Sequence, residues 1–213
     1  MRVRWMMMAA LVWMAAGCSK KPDDRMKEVR IGEKAEAPTE KGASSETDAL
    51  KRAQAAAMEF NRRLRATLES TIDNQGAPAA IEVCAVAAPA IAEDVMREHQ
   101  LRLGRVAAPG KQRNPEHAAE GWRWDALREM IEAVEAGAPV DQQVKVIRED
   151  LPEGVTLRMV RGIPTEALCT TCHGEEIDPA VEEKLRLHYP GDGATGFREG
   201  MLRGALWVEV TTL

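Results

Sequence analysis

The sequence is short of rings. Phe, Tyr and Trp make up 4% of its 213 residues: two Phe, one Tyr and five Trp. Trp5 and Trp13 lie in a segment expected to be removed, which leaves Trp122, Trp124, Trp207, Phe60, Phe197 and Tyr189. A core that poor in rings is easier to understand if a flat cofactor fills part of it. Positive charge is not in excess either. Lys and Arg number 29 against 34 Asp and Glu, a net charge of −5, which argues against a nucleic-acid binder and its basic face. The longest apolar run, Trp5 to Ala16, is twelve residues, and at 30% charged the chain is no polytopic membrane protein. At 45% apolar it is not largely disordered. There are no internal repeats, and only four cysteines.

The N-terminus is an expected export signal. Arg2 and Arg4 form a basic start, and the apolar run is too short to span a bilayer and ends in small residues. Ala15-Ala16-Gly17-Cys18-Ser19 matches a bacterial lipoprotein signal, in which cleavage before Cys18 frees it to carry acyl chains. An ordinary secretory signal with an incidental Cys is the alternative. Acylation at Cys18 implies a membrane anchor, since each buried CH₂ contributes roughly 0.8 kcal/mol. Ser19 after the Cys fits outer-membrane sorting on the periplasmic side. Cleavage also removes Arg2 and Arg4, taking the charge from −5 to −7. Residues 18–46 are then a lipid-anchored flexible linker. They are rich in charge with Pro and Gly, and cannot bury enough surface to offset chain entropy.

Residues 47–213 are the expected folded domain. Leu50, Ala53, Ala57, Phe60, Leu64, Leu68 and Ile72 form one apolar stripe on a long helix, with Ser45 or Thr47 as its cap and Asn74-Gln75-Gly76 as its end. A short helix is expected around Ile81, Val83 and Cys84, and a second from Pro89 to about His99. Leu101–Val106 reads as a strand, 118–136 as a helix, and Val144–Ile147 with Val155–Val160 as a hairpin turning at 151–154. Pro179–His188 is a further helix and Leu206–Thr211 a closing strand. Helices first and strands later predict an α+β fold with an antiparallel sheet.

Cys169-Thr170-Thr171-Cys172-His173 is a CxxCH motif, the attachment signature of c-type haem. Two thiols must each add to a vinyl group on one porphyrin edge, and two intervening residues let the chain place both there. The adjacent His then lies beneath the iron. The motif predicts one covalent heme c, and export agrees with it, because c-type haem is attached outside the cytoplasm. A redox dithiol needs no following His, and zinc would need a fourth ligand near in sequence. A disulfide across the motif would be strained and would leave His173 unexplained. Iron then needs a sixth ligand or an open face. Cys84, His99, His117, His188 and several Met are the candidates. With Cys18 assigned to lipid and Cys169 and Cys172 to haem, Cys84 is left over in an apolar setting, either an inert buried thiol or a ligand.

The order of short motifs carries a resemblance. Ile81-x-Val83-Cys84 is followed by Arg113-Asn114-Pro115, then Cys169-x-x-Cys172-His173-Gly174. Tyr189-Pro190-x-Asp192-x-Ala194-x-Gly196-Phe197 and Gly200-x-x-Arg203-Gly204-Ala205 come after it. This resembles the small c-type haem domain family with a PAS-like fold first described from cyanobacteria, over about residues 47–213. The family's usual Tyr after Gly196 is here Phe197. The resemblance implies His173 and Cys84 as axial ligands. A bound thiolate favours ferric iron, so a low potential and a low-spin ferric state are expected, with Fe–S weakening on reduction.

Haem propionates need cations or N–H groups, and Arg113 and Arg203 are the candidates. Asn114 either holds its loop or bonds a propionate. Tyr189 stacks beside the ring or, preferably, packs in the core. His99 and His117 are expected in solvent, and at most one of Trp122 and Trp124 buried. Gly191, Gly193 and Gly196 read as turn chemistry. The expected roles are electron transfer through an unknown redox partner or redox sensing. Alternatives are gas sensing, with a diatomic ligand on the reduced haem and a separate signalling partner, and a haem peroxidase. No hydrolytic constellation stands out, and no enzyme activity is expected.

Overall fold

The computed structural model describes residues 40–212. The export signal, Cys18 and the linker as far as residue 39 lie outside the described residues. No helix among the described residues is long and apolar enough to cross a membrane.

The first helix, α1, runs Glu40–Gln75. It starts ahead of Ser45 and Thr47, so neither caps it, and residues 40–46 are helical rather than linker. The reason is local: Glu, Lys, Ala and Ser tolerate a helix, so the coil extends beyond its buried stripe, whose first fully buried member is Ala49. Gly76, at φ 85°, ends it as expected.

The next segment is one continuous helical path rather than two helices. Its parts are α2 (Ala80–Glu82), a π-helical turn (Val83–Ala87) and α3 (Ala88–His99). The Ala88 N–H donates to the Val83 carbonyl, five residues back, and Pro89 follows at once. Proline has no N–H, and its ring crowds the carbonyl four residues earlier in an α-helix. A widened turn just before it accommodates both facts.

The strands are β1 (Leu101–Ala107), β2 (Val144–Ile147), β3 (Val155–Pro164) and β4 (Leu202–Thr211). They make one antiparallel sheet in the order β1-β4-β3-β2. The β2–β3 hairpin is the expected one. Strand β4 begins at Leu202, so Arg203 and Gly204 belong to the sheet. Helix α4 spans Trp122–Glu135, starting after the expected residue 118 because Gly121 turns the chain at φ 53°. Two short helices follow β3: α5 (Ala167–His173), too short to show a periodic stripe, and α6 (Pro179–His188). This is the expected α+β class with a PAS-like antiparallel sheet and N-terminal helices.

Strand alternation sorts the core. Leu101, Leu103, Leu157, Met159, Leu206, Val208 and Val210 face α1 and pack on Ala49, Ala53, Ala56, Ala57 and Phe60, with Val95 of α3. Val106, Val160 and Ala205 face the other way, onto Ala126, Leu127 and Met130 of α4. Four alanines bring α1 close to the sheet, so this core is closed by backbone proximity and needs few rings. Trp122 and Trp207 meet edge-to-face at 5.9 Å beside the α4 cluster, and Trp207 lies over Gly104, its cross-strand partner. Trp122 and Trp124 are both half-buried, and of the two Trp122 packs against the α4 cluster.

Candidate functional site

A cleft of about 450 Å³ opens beside the end of the sheet. Phe60, Asn61 and Leu64 of α1 line it, with Cys84 and Ala85 of the π turn, Pro89, and Arg105 and Val106 of β1. The loop at 107–117, the Tyr189–Phe197 segment, Arg203 and His173 close it.

His173 ends α5. Its Nδ1–H donates to the Ala194 carbonyl at 2.7 Å. A carbonyl only accepts, so Nδ1 carries the proton and Nε2 keeps its lone pair. Burial, with Arg203 and Arg113 nearby, holds the imidazole well below its usual range, in the neutral form a metal requires. The ring meets Phe197 edge-on at 6.4 Å. Backbone bonds from Gly196 N–H to the Gly174 carbonyl (2.8 Å) and from Phe197 N–H to the His173 carbonyl (2.9 Å) clamp this segment along α5. The ring is therefore held by the 194–197 segment, with one nitrogen free.

Cys169, Cys172 and His173 stand at i, i+3 and i+4 on α5, which puts them on one helical face. All three cysteines in the described region are free thiols and half-buried. The Cys169 and Cys172 side chains are beside the cleft rather than in its wall. Arg203, which is in the wall, points Nη2 at Cys169 Sγ, 3.6 Å away. Cys172 packs against the Ile81, Val181 and Leu185 cluster, and burial pushes its thiol up to about 11. The described residues include no group of three or more His, Cys, Asp or Glu arranged to hold a bare metal ion.

Arg113 ties three segments together. Nε donates to Asp192 Oδ2 at 3.0 Å, and Nη2 stands 2.9 Å from the same oxygen in the ion pair. Nη2 also donates to the Cys172 carbonyl at 2.6 Å, and the Ala194 carbonyl is 3.4 Å away. Asp192 Oδ1 in turn accepts from the Ala194 N–H at 2.8 Å. The pair is buried, with side-chain exposures of 7% and 10%. Nη1 is the one nitrogen of Arg113 left over, buried and unpartnered, and Nε of Arg203 is in the same state. Asn114 caps the 3₁₀ turn Pro115–His117 through Oδ1 and the Glu116 N–H, 3.0 Å apart, so it holds its loop while lining the cleft. Tyr189 packs beside Ile81 and Leu185 under the Arg113 guanidinium. Gly193 is required by close approach: a Cβ there would lie 2.3 Å from the Gly110 carbonyl oxygen.

Cys84 lies in the π turn and lines the cleft. His99 and every Met are absent from the lining, which leaves Cys84, His117 and His188 from the sequence candidates for a sixth ligand. His117 corrects the expectation of a solvated ring. It is half-buried in the cleft wall, and burial with the charge of Arg105 pulls it down to about 4. The 3₁₀ turn folds it inward, something its polar neighbours conceal in the sequence.

Arg105 and Lys111 were not anticipated. Arg105 follows Leu101 and Leu103 at strand spacing, so it projects onto the apolar face, over the Phe60 ring at 5.7 Å. A cation on the buried parity of a strand was the available signal. Burial lowers its pKa, and Cys84 opposes that shift. Lys111 donates to the Thr195 carbonyl at 2.8 Å and sits 5.3 Å from the Phe197 ring centre, a loop contact with no periodic signal.

A crystal structure of the cyanobacterial heme-protein Tll0287 aligns with TM-score 0.51 and 23% identity, over 82% of this chain and 98% of that one. At that identity the likeness concerns the fold. No curated protein matches. The family model described as Tll0287-like matches residues 36–211, most of the sequence and every cleft residue named above, and the chain accordingly belongs to the Tll0287-like family.

Proposed function

We propose that this protein is an exported mono-haem c-type protein, lipid-anchored at Cys18 on the periplasmic side of the outer membrane. It acts in electron transfer or redox sensing. In this reading Cys169 and Cys172 carry heme c covalently, and His173 and Cys84 hold its iron.

The observation that carries the reading is the His173 ring, neutral, fixed at Nδ1 by the Ala194 carbonyl, and half-buried in the cleft wall with Nε2 uncommitted. That is the state of a metal-bound imidazole, its outer nitrogen satisfied by a backbone carbonyl. The remaining chemistry fits a haem. Two thiols share the helical face of His173, and a further thiol lines the same cleft. Two buried guanidinium nitrogens, Arg113 Nη1 and Arg203 Nε, have no partner of their own and suit propionate oxygens. A heme-protein with the same fold supports the assignment.

When bound, haem would supply a one-electron ferric/ferrous couple. The chain's own residues set its character. His173 would offer a neutral nitrogen and Cys84 a thiolate sulfur that favours the ferric state, while the Arg113–Asp192 pair locks the motif to the 189–197 segment. With Cys84 as a ligand the iron would have no open position of the kind a peroxidase needs, so we propose no enzymatic turnover. Gas binding would require Cys84 to leave the iron on reduction.

Two measurements test this. Acid–acetone extraction should leave haem on the wild-type chain and release it from a Cys169→Ser/Cys172→Ser variant. Reduction under carbon monoxide then separates the roles: no adduct means both ligands persist, as in a carrier, and a rapid adduct means a switch. Extractable haem in the wild type would sink the c-type assignment.

A further inference from the structure

We infer that Pro89 is a positioning residue for Cys84: by imposing the π-helical turn at Val83–Ala87, it sets the helical phase at which the Cys84 sulfur enters the cleft. The inference rests on the proposed ligation by Cys84 and adds how the fold arranges it.

The turn is a local departure with a local cause. Residues 80–99 are helical throughout, and only Val83–Ala87 widen to π geometry, through the bond from Ala88 N–H to the Val83 carbonyl. Pro89 begins immediately afterwards, at the position where a ring would crowd the Ala85 carbonyl in a regular α-helix. One residue absorbed into a π turn changes the phase between the flanking helical pieces by about 100°, the rotation per residue of an α-helix.

Both flanks are anchored, so that phase has consequences. On the N-terminal side Ile81 is 1% exposed and packs on Val181 and Leu185 of α6. On the C-terminal side Val95 is 0% exposed and joins the core between α1 and the sheet. Cys84 stands between these anchors, inside the irregular turn, and Cys84, Ala85 and Pro89 all line the cleft. Val86, in the same turn, is 62% exposed. The widened turn thus divides its residues between cleft and solvent while both anchors stay seated.

The test is Pro89→Ala in the full-length, haem-loaded protein, compared with wild type and with Cys84→Ala by ferric EPR and optical spectroscopy. Alanine favours a helix, and far-UV circular dichroism with covalent haem content establishes that the variant is folded. The inference predicts that Pro89→Ala loses the thiolate-type ferric signal in most molecules and moves toward the Cys84→Ala spectrum, with helix content unchanged or raised. A merely structural role for Pro89 would alter melting and leave that signal in place. A wild-type spectrum from Pro89→Ala, while Cys84→Ala differs, overturns the positioning role and leaves the ligation intact. Identical spectra from all three proteins overturn the ligation and the positioning role with it.

Discussion

Replacing Arg113 with Met should be among the costliest single changes in this domain, although Arg113 lies outside the apolar core. The substitution keeps most of the side-chain volume and removes the charge. Asp192 then keeps the Ala194 N–H at 2.8 Å and loses the Nε bond at 3.0 Å together with its counter-charge, in a site where it is 10% exposed. The Cys172 carbonyl loses its 2.6 Å donor as well. Removing one partner of a buried pair costs about 3–5 kcal/mol, because the other charge stays behind uncompensated. For a chain of this size each kcal/mol moves the melting temperature by about 2–4 °C, so the drop should be roughly 6–20 °C. Arg113→Lys should fall between the two, keeping charge without the planar fork. The Arg113→Met/Asp192→Asn double variant should be less destabilised than the two single effects added. The exposed pair Arg128–Glu132, with side chains 46% and 60% exposed, is the control, and Arg128→Ala should stay within about 0.5 kcal/mol of wild type. Differential scanning calorimetry of the holoprotein reads all of these. A melting temperature for Arg113→Met within about 2 °C of wild type would refute the reasoning, since no buried pair would then be supporting the loop.

Three further outcomes are expected. Gly193→Ala should destabilise by about 1–3 kcal/mol, because its Cβ meets backbone at 2.3 Å, whereas Gly191→Ala, with open space around it, should be silent in the same melting assay. His117 has a folded pKa of about 4, below the ordinary 6.5, so the unfolded chain takes up the proton first. Its contribution is therefore full above pH 6.5 and is lost as pH falls toward 4. Allowing for partial exposure that is about 1–2 kcal/mol, and His117→Gln should flatten this part of the stability–pH curve in urea titrations. Cys18→Ala should move the protein from the membrane fraction to the soluble periplasmic fraction, and membrane retention would contradict lipid anchoring.

The sequence made the helical and strand periodicities legible because they are local. The α1 stripe, the β2–β3 hairpin and α6 follow from side-chain spacing alone. So does the CxxCH motif, whose spacing is its chemistry. What escaped depends on tertiary approach. Asp192 gave no sign that it would pair with Arg113 across 79 residues, and that pairing turned a candidate propionate partner into a loop anchor with one free nitrogen. His117 sits among polar residues that read as solvent-facing, until a 3₁₀ turn folds the ring into the cleft. The π turn at Val83–Ala87 merges two expected helices, and Pro89, read only as a helix start, is the residue that makes sense of it. The scarcity of rings, read as room for a cofactor, also has a second cause in the alanines that seat α1 against the sheet.

The ferric EPR spectrum of the purified holoprotein beside that of Cys84→Ala decides whether Cys84 holds the iron. Ligation by Cys84 predicts a low-spin signal with thiolate-type g values in the wild type, replaced in the variant by a high-spin or nitrogen-ligated signal while the haem stays covalently bound. Indistinguishable spectra would contradict it, removing Cys84 from the iron and leaving His117 or His188 as the sixth ligand.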